Sequence, residues 1–338
     1  MDKIEILKIK QFYEVINEKK FHTVFQPIIS LKNAKILGYE ALTRLDLDDC
    51  ILTIEEFFHI AEELGYLWKV EEMTRKKALD TLKEKDYHSK LFINVDPNVI
   101  KDPLFQSGVT KSYLESFNLS PEQVVFEITE RHSINDASFQ NIVQHYKNQN
   151  FELAIDDFGN GYAGMNRICA LNPKYIKIDR EIITDINQNT IKQSIVESMV
   201  HLCLKNNICL IAEGIETNAE LETLIQLGVC FGQGYLIQKP NKERSKIKEE
   251  LVQKIQNTYQ KNTENEIRTV SQLKKEIEIP FHLHPKSLVI DGNTGIKEAI
   301  QIAMKRDESE VFEEIYLHEN DKVVGYVDMK DLIRAYTR

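Results

Sequence analysis

The chain alternates short runs of apolar, often β-branched residues with longer stretches in which apolar residues recur at helical spacing. The short runs predict eight strands, near residues 24–29, 35–42, 91–95, 124–128, 152–156, 175–178, 208–212 and 231–237. From the second strand onward the intervening stretches predict helices, for example over 54–85, 133–149, 191–206 and 217–227. This alternation is typical of α/β folds, and eight strands predict a closed (β/α)8 TIM-like barrel.

The connection between the first two strands is too short for a parallel crossover. Only residues 30–34 separate these strands, whereas a parallel connection needs about a dozen residues or more. We therefore expect an antiparallel first strand in an otherwise parallel barrel.

The character of the sequence changes after Pro240, where a polar stretch follows. Ile247, Leu251, Ile255 and Tyr259 recur there every four residues. This spacing predicts a connecting helix whose apolar stripe packs within the molecule or forms a dimer seam.

A second, smaller unit follows the connecting helix. It has strand patterns at 287–290, 312–317 and 322–327, a helix pattern at 294–305 and another at the end of the chain. We expect a barrel domain over 1–240 with an N-terminal helix, a connecting helix over 241–264 and a small α+β unit over 265–338.

Length and charge narrow the classes of function. The 338 residues suffice for about two domains, and 43 basic against 53 acidic residues give a formal net charge of -10. Because such a surface as a whole repels polyanions, we expect neither a nucleic-acid polymer nor a membrane as a partner. A compact phosphate ligand held by metal ions stays compatible with this charge, since the local charge of a site can oppose the global one.

The cysteines and the first residues indicate a location. Five cysteines, odd in number and mostly within apolar runs, are typical of reduced, buried thiols. The first residues carry acids and no small-residue cleavage site, and no apolar run is long enough to span a bilayer. We therefore expect a cytoplasmic protein.

Polar side chains follow the predicted strands in series, at the barrel end where active sites form. They are Glu40, Arg44, Asn94, Glu127, Glu130, Asp156, Asp157, Lys177, Glu213, Glu216 and Gln233. Any one of these acids alone would more often be solvated or ion-paired than functional. Their joint placement at several strand ends favours a site.

Several carboxylates at one barrel mouth need a countercharge, because like charges raise one another's pKa. Oxygen ligands with an amide and no cysteine suit Mg²⁺ or Mn²⁺ better than zinc. The adjacent Asp156 and Asp157 could bridge two ions, an arrangement that serves phosphoester displacement. The pattern therefore predicts hydrolysis of a phosphodiester.

Residues 20–240 closely resemble an EAL domain, the phosphodiesterase that opens cyclic di-GMP. The motifs that carry the resemblance are FQPI at 25–28, GYEALTR at 38–44, INVDP at 93–97, FEITE at 126–130, DDFGNGYAG at 156–164, KID at 177–179, AEGIET at 212–217, QGY at 233–235 and the closing Pro240. So long an ordered series is highly specific.

The resemblance implies roles for these positions. One metal ion would be held by Glu40, Asn94, Glu127 and Asp156, and the second by Asp156, Asp157 and Glu213. Lys177 would orient the attacking water or stabilise charge in the transition state, and Glu213 is the general base that the family implies. The implied substrate contacts are Gln26, Leu42, Arg44, Glu216 and Gln233. The resemblance also implies the product, linear pGpG, and a homodimer.

Two segments depart from the usual family patterns. The loop at 159–164 reads GNGYAG where the family commonly has GTGYSS, and Glu130 would anchor this loop. The change leaves the implied metal ligands intact and bears on loop order and rate. Residues 265–338 resemble a single CBS repeat, in which Asp331 matches the ribose-binding acid but Asp328 replaces the usual Ser or Thr.

Three hypotheses of function follow. The first is a cyclic di-GMP phosphodiesterase using two Mg²⁺ or Mn²⁺ ions. The second is a receptor that binds cyclic di-GMP with little turnover, motivated by the altered loop at 159–164. The third is an unrelated barrel lyase in which Lys177 forms an imine.

Overall fold

The chain folds into two compact units, Met1–Gln260 and Lys261–Arg338. The computed structural model describes residues 3–83, 89–129, 137–159, 164–244, 246–264, 274, 287–306, 314–319 and 322–336.

The first unit is built around a closed eight-stranded barrel whose strands follow one another in chain order. They are β1 (Phe21–Ser30), β2 (Ile36–Leu45), β3 (Lys90–Asn94), β4 (Val124–Thr129), β5 (Glu152–Phe158), β6 (Tyr175–Ile178), β7 (Cys209–Ala212) and β8 (Phe231–Gly232). Strand β1 is antiparallel to both β2 and β8, and all other neighbours are parallel. The predicted barrel with an antiparallel first strand is therefore confirmed.

Helices cover the outside of the barrel. They are α1 (Lys3–Glu18), α2 (Ile54–Glu63), α3 (Leu67–Leu79), α4 (Val109–Glu115), α5 (Ala137–Lys147), α6 (Gly164–Leu171), α7 (Arg180–Ile183), α8 (Thr190–Lys205), α9 (Asn218–Gln226) and α10 (Glu249–Glu264). Short 3-10 turns lie at Asp80–Lys83, Pro97–Lys101, Pro121–Gln123 and Ile186–Gln188.

Two predicted elements are shorter than the sequence pattern indicated. The helix expected over 54–85 is divided into α2 and α3, because Gly65 between them has a φ of +71° and ends the first helix. The strand expected over 231–237 ends at Gly232, since Gly234 lies against the backbone of Ile215. A Cβ atom on Gly234 would come within 2.2 Å of the Ile215 nitrogen.

The interior of the barrel holds one layer of apolar side chains. Six strands each contribute one of them: Ile28, Phe92, Val125, Ala154, Tyr175 and Ile211. On β2 the corresponding space is filled from the neighbouring strand β3, because a Cβ atom on Gly38 would lie 2.9 Å from the Phe92 ring. A larger apolar cluster lies between the strands and the helices. The inner layer forms the floor beneath the polar residues described below.

Helix α10 packs on the barrel through the apolar stripe seen in the sequence. Leu251 and Ile255 are buried in the main core cluster, and Ile247 and Tyr259 are packed against it. The stripe therefore serves packing within the unit. The helix begins at Glu249, eight residues later than the expected start, and Asn241, which precedes it in the chain, pairs with Phe25 of β1.

The second unit has its own sheet and core. Its elements are β9 (Leu288–Asp291), α11 (Ile296–Ala303), β10 (Ile315–Glu319), β11 (Lys322–Val327) and α12 (Met329–Tyr336). Strand β10 is central, parallel to β9 and antiparallel to β11. A separate apolar cluster, which includes Ala299, Leu317 and Leu332, fills the space between the sheet and the helices. In neither unit do the described helices include one with the length and hydropathy that crossing a membrane requires.

Candidate active site

The polar residues at the barrel mouth stand two positions beyond the inner apolar layer. Strand side chains alternate between faces, so residues i and i+2 point to the same side. The pairs are Phe92 and Asn94, Val125 and Glu127, Ala154 and Asp156, Tyr175 and Lys177, and Ile211 and Glu213. On β1, which runs the other way, Gln26 precedes Ile28 by two. The fold therefore directs all six polar side chains inward above one floor.

Lys177 lies at the centre of this group. Its Nζ is 2.7 Å from Glu213 Oε1, 2.8 Å from Glu127 Oε1, 2.9 Å from Asp156 Oδ1 and 3.3 Å from Glu40 Oε2. Lys177 and Glu127 are fully buried. One ammonium group thus faces four carboxylates from β2, β4, β5 and the end of β7.

A bulge in β5 brings two consecutive acids to the mouth. The register between β5 and β6 shifts between Ile155 and Phe158, so that one extra residue is accommodated in β5. Asp157 takes up the bulge with a φ of +54°. As a result ligand oxygens of Asp156, Asp157 and Glu213 all lie within 4.8 Å of one another, although adjacent strand residues normally face opposite sides.

Amide side chains complete the mouth around Glu40. Asn94 Nδ2 donates a hydrogen bond to Glu40 Oε1 at 3.2 Å, and Gln233 Nε2 donates to Glu40 Oε2. Gln233 Nε2 is also 3.0 Å from Gln26 Oε1. Gln26 in turn donates to the carbonyl oxygen of Gln238 at 3.2 Å. These bonds fix the Glu40 carboxylate from both sides.

Burial and mutual repulsion shift the pKa values of the acids. Burial raises the pKa of Glu127 and Glu213 well above the ordinary value and raises that of Asp156, although Lys177 opposes the shift in each case. Burial also disfavours the charged form of Glu40, but Lys177 and the two amides outweigh it and hold the pKa of Glu40 below its usual range. The Lys177 pKa is raised well above normal because its four acidic neighbours outweigh burial. One lysine therefore does not balance the charge of the cluster.

The donor set fits hard divalent cations. Carboxylate and amide oxygens from Glu40, Asn94, Glu127, Asp156 and Asp157 are the ligands that Mg²⁺ and Mn²⁺ prefer. Glu127 Oε2 is buried and has no hydrogen-bond partner among the described residues. Burying a carboxylate oxygen without a hydrogen-bond partner lowers the stability of the folded protein unless a cation or a proton binds to it.

A cleft of about 520 Å³ opens beside these acids. Leu42 and Arg44 of β2 line it together with Asn94, Asp156 and Asp157. Arg44 is exposed, and its Nη1 donates to the carbonyl oxygen of Thr43 at 2.9 Å. The cleft therefore offers a cation and an apolar surface next to the carboxylates.

Comparison with known proteins assigns the family. Residues 9–240 match the model of the EAL domain. The chain belongs to the EAL domain family. Residues 278–338 match the model of the CBS domain.

Proteins similar to this EAL domain include a curated relative and two solved structures. PdeI of Escherichia coli (strain K12), a probable cyclic di-GMP phosphodiesterase, is 34% identical over 226 residues, which cover 64% of this chain and 28% of PdeI. The c-di-GMP-bound standalone EAL protein from Vibrio cholerae O395 is 30% identical with a TM-score of 0.58, covering 68% of this chain and 95% of that one. The manganese/cy-diGMP complex of Klebsiella pneumoniae BlrP1 at pH 9.0 is 27% identical with a TM-score of 0.54, covering 66% and 56%. The chain spans less than half the length of PdeI and of other curated relatives.

One candidate residue of the EAL domain stands apart from the carboxylate cluster. Glu216 is exposed and forms an ion pair with Arg180, 2.8 Å between Oε1 and Nη2. Glu130 and residues 160–163 of the altered loop lie outside the described residues.

The sequence pattern did not predict the helix residues whose side chains hold the backbone next to the EAL site. Glu220 of α9 is buried, and its carboxylate accepts hydrogen bonds from the backbone nitrogens of Asp185, Glu216 and Thr217 at 2.9–3.0 Å. Glu71 and Arg75 of α3 form a buried ion pair. In the sequence, Glu220 is visible only as part of a capping box at 217–220, and Glu71 and Arg75 only as an i, i+4 acid–base pair. Both patterns occur in many surface helices and do not point to a functional site.

Proposed function

We propose that this EAL domain is a metal-dependent phosphodiesterase that hydrolyses cyclic di-GMP to linear pGpG. The observation that carries the proposal is the convergence of Glu40, Glu127, Asp156 and Glu213 on one buried lysine beside an open cleft. The names of the similar proteins support the choice of substrate.

Two sets of oxygen ligands would hold Mg²⁺ or Mn²⁺. Glu40, Asn94, Glu127 and Asp156 form the first set, and Asp156, Asp157 and Glu213 form the second, whose oxygens lie within 4.8 Å of one another. Bound divalent ions lower the pKa of water and stabilise charge on phosphate oxygens.

The chain's own residues supply the remaining steps. Glu213, whose Oε1 lies 2.7 Å from Lys177 Nζ, would accept a proton from the attacking water as a carboxylate. As the water oxygen bonds to phosphorus, the bond from phosphorus to the ribose 3′ oxygen breaks. That oxygen takes up a proton from solvent and becomes the 3′ hydroxyl, so that the ring opens to linear pGpG. The Lys177 ammonium stabilises the negative charge that develops at this point.

Substrate contacts fall to residues of the first two strands and the last one. Arg44, which lines the cleft, would contact a phosphate or a guanine edge, and Leu42 would offer an apolar contact. Gln26 and Gln233 are hydrogen-bonded to each other, and Gln233 also donates a hydrogen bond to Glu40. Glu216, which forms an ion pair with Arg180, would support the site from nearby. A homodimer stays a prediction of the family resemblance.

The imine hypothesis for Lys177 is disfavoured by its surroundings. A Schiff base needs a neutral amine, whereas the pKa of Lys177 is raised well above normal by four carboxylates. Lys177 is therefore an ammonium group at neutral pH and serves as a fixed positive charge.

Product chromatography tests the proposal. The purified chain is incubated with cyclic di-GMP and Mg²⁺ or Mn²⁺, beside a sample with EDTA and beside the Glu127→Gln variant. We expect pGpG only with metal, and a loss of at least about 100-fold in the variant. Tight binding of intact cyclic di-GMP with no product in saturating metal would identify a receptor instead.

A further inference from the structure

Helix α3 carries a buried ion pair that the proposed chemistry does not use. Glu71 and Arg75, one helical turn apart, are only 3% and 5% exposed, and Glu71 Oε2 lies 2.5 Å from Arg75 Nη2. Buried ion pairs contribute little to stability compared with apolar side chains of the same volume. Both residues line the cleft that contains Asn94, Asp156 and Asp157.

The second oxygen of Glu71 contacts the backbone at the end of β3. Glu71 Oε1 accepts a hydrogen bond from the Asp96 nitrogen at 2.7 Å, two residues after Asn94. A second hydrogen bond joins the same two segments, since Asp102 Oδ2 accepts from the backbone nitrogen of Trp68 at 2.9 Å. Helix α3 is thus tied to the segment 95–102 at two points.

Arg75 is itself held by three further elements. Its Nη1 donates to Thr110 Oγ1 of α4 at 3.1 Å. The guanidinium carbon lies 5.0 Å from the ring centre of Phe126 on β4 and 5.8 Å from that of Tyr146 on α5. These contacts fix the guanidinium, and the guanidinium fixes the Glu71 carboxylate.

We propose that Glu71 is a positioning residue for metal binding, which fixes the end of β3 so that Asn94 presents its amide oxygen to the metal site. The inference rests on the proposed function. Asn94 Nδ2 already donates to Glu40 Oε1, so its Oδ1 is the atom left for a cation. Glu71 acts through the Asp96 N–H group and does not touch substrate or metal.

Two double variants isolate the hydrogen bond to Asp96. Removing Glu71 alone would leave the buried Arg75 charge without a carboxylate partner and endanger folding, so both variants carry Arg75→Met. Glu71→Met/Arg75→Met keeps the volume but has no acceptor for the Asp96 N–H group. Glu71→Gln/Arg75→Met keeps an acceptor oxygen at the same place. Glu72→Gln, on the exposed face of the same helix, is the control.

The readouts are the affinity for Mn²⁺ alone, by calorimetry, and hydrogen exchange of the amides at 94–96 without metal. We expect Glu71→Met/Arg75→Met to weaken Mn²⁺ binding roughly 10- to 100-fold and to lose protection at 94–96. Glu71→Gln/Arg75→Met should stay within about 3-fold of the parent chain and keep the protection.

Equal Mn²⁺ affinity in the two double variants would overturn the proposal, whether both bind as the parent does or both lose binding. A parent chain that neither binds Mn²⁺ nor forms pGpG would overturn the proposed function. The exchange comparison needs no metal, so it then still decides whether Glu71 fixes the end of β3.

Discussion

Lys177 meets the charge of four acids with a single ammonium group. A buried ion pair is stable only when each charge is compensated, and here three of the four acids have raised pKa values. The metal-free site therefore depends on Lys177 for the charge balance that protons do not supply. Divalent ions would supply the rest, so the lysine and the metal ions should compensate for each other.

We expect Lys177→Met to lower the melting temperature of the metal-free protein by roughly 10 °C, because losing one partner of a buried pair costs about 3–5 kcal/mol. Millimolar Mn²⁺ should raise the melting temperature more in this variant than in the parent chain. Turnover should fall at least about 100-fold. Thermal unfolding with and without Mn²⁺ is the measurement, and Lys174→Met, at an exposed position three residues earlier, is the control. Equal stabilisation by Mn²⁺ in variant and parent would contradict this account.

Glu71 gives a second prediction at the same scale. Burial raises its pKa from 4.5 to about 7. Between these pH values the folded state holds a proton that the unfolded state has lost, so the free energy of unfolding falls as pH rises from about 4.5 to about 7. The raised pKa corresponds to about 3 kcal/mol across that window.

The Glu71→Gln/Arg75→Met variant has no titrating group at position 71, so its free energy of unfolding should fall less over this window than that of the parent chain. Urea unfolding in metal-free buffer at about pH 5 and about pH 7.5 gives the free energy of unfolding of each protein at each pH, by linear extrapolation to zero urea. The difference between the two pH values is then compared between variant and parent chain. The comparison cancels the titration of the barrel-mouth acids, which both proteins share. Parallel pH profiles would show that Glu71 titrates normally in the folded protein.

At the scale of elements, the strand pattern carried more information than the motifs alone. Each inward polar residue stands two positions from an inner-layer apolar residue, as Glu127 does from Val125 and Lys177 from Tyr175. This period of two is visible in the sequence and assigns the face. Asp157 could not be assigned in this way, because its position depends on the bulge in β5 and on a φ of +54°. Such a bulge depends on the neighbouring strand.

The loop after β7 depends on a capping box in α9. Thr217 caps the helix and Glu220 returns to the backbone of Glu216, Thr217 and Asp185. This carboxylate connects the segment that follows Glu213 to the segment that follows α7. The loop beside Glu213, the proposed general base, is therefore held by a side chain one helical turn away.

We expect Glu220→Ala to lower the free energy of unfolding by about 2–3 kcal/mol, because it leaves backbone N–H groups without an acceptor. Turnover should fall as well, since Glu213 loses the support of its loop. Chemical denaturation and steady-state rates measure the two effects. The control is Glu222→Ala in the same helix, where a partly exposed pair with Lys254 should be worth less than about 1 kcal/mol. Similar losses in both variants would refute the role of Glu220.

At the scale of the whole molecule, the sequence predicted the barrel and its mouth but not the contacts behind the mouth. The eight strands and the antiparallel first strand could be predicted from spacing. The bond from Glu71 to Asp96 could not, because it joins residues 25 positions apart through a backbone nitrogen. Connections of this kind depend on how helices settle on the barrel, which a local pattern does not encode.

Helix α10 shows how this limit affects the boundary of the first unit. The EAL match ends at residue 240, yet the compact unit extends to Gln260. Ile255 is fully buried and Leu251 nearly so, both in the main core cluster of the barrel. Fully burying one such side chain is worth about 1.5–3 kcal/mol, so two buried and several half-buried side chains together form a substantial part of a typical folding free energy.

Two truncations test whether α10 belongs to the barrel. A chain ending at Glu264 should keep the melting temperature of the barrel and its affinity for Mn²⁺, because every described candidate ligand lies before residue 214 and the stripe of α10 is retained. A chain ending at Arg244 should lose roughly 10 °C or more, since it exposes the core surface beneath Leu251 and Ile255. The variant Leu251→Ala/Ile255→Ala in the full chain loses the packing of α10 but keeps all of its residues. It should reproduce most of the decrease in melting temperature expected for the chain that ends at Arg244. Equal melting temperatures for the two truncations would show that the barrel is complete at the family boundary and that α10 is only a connection.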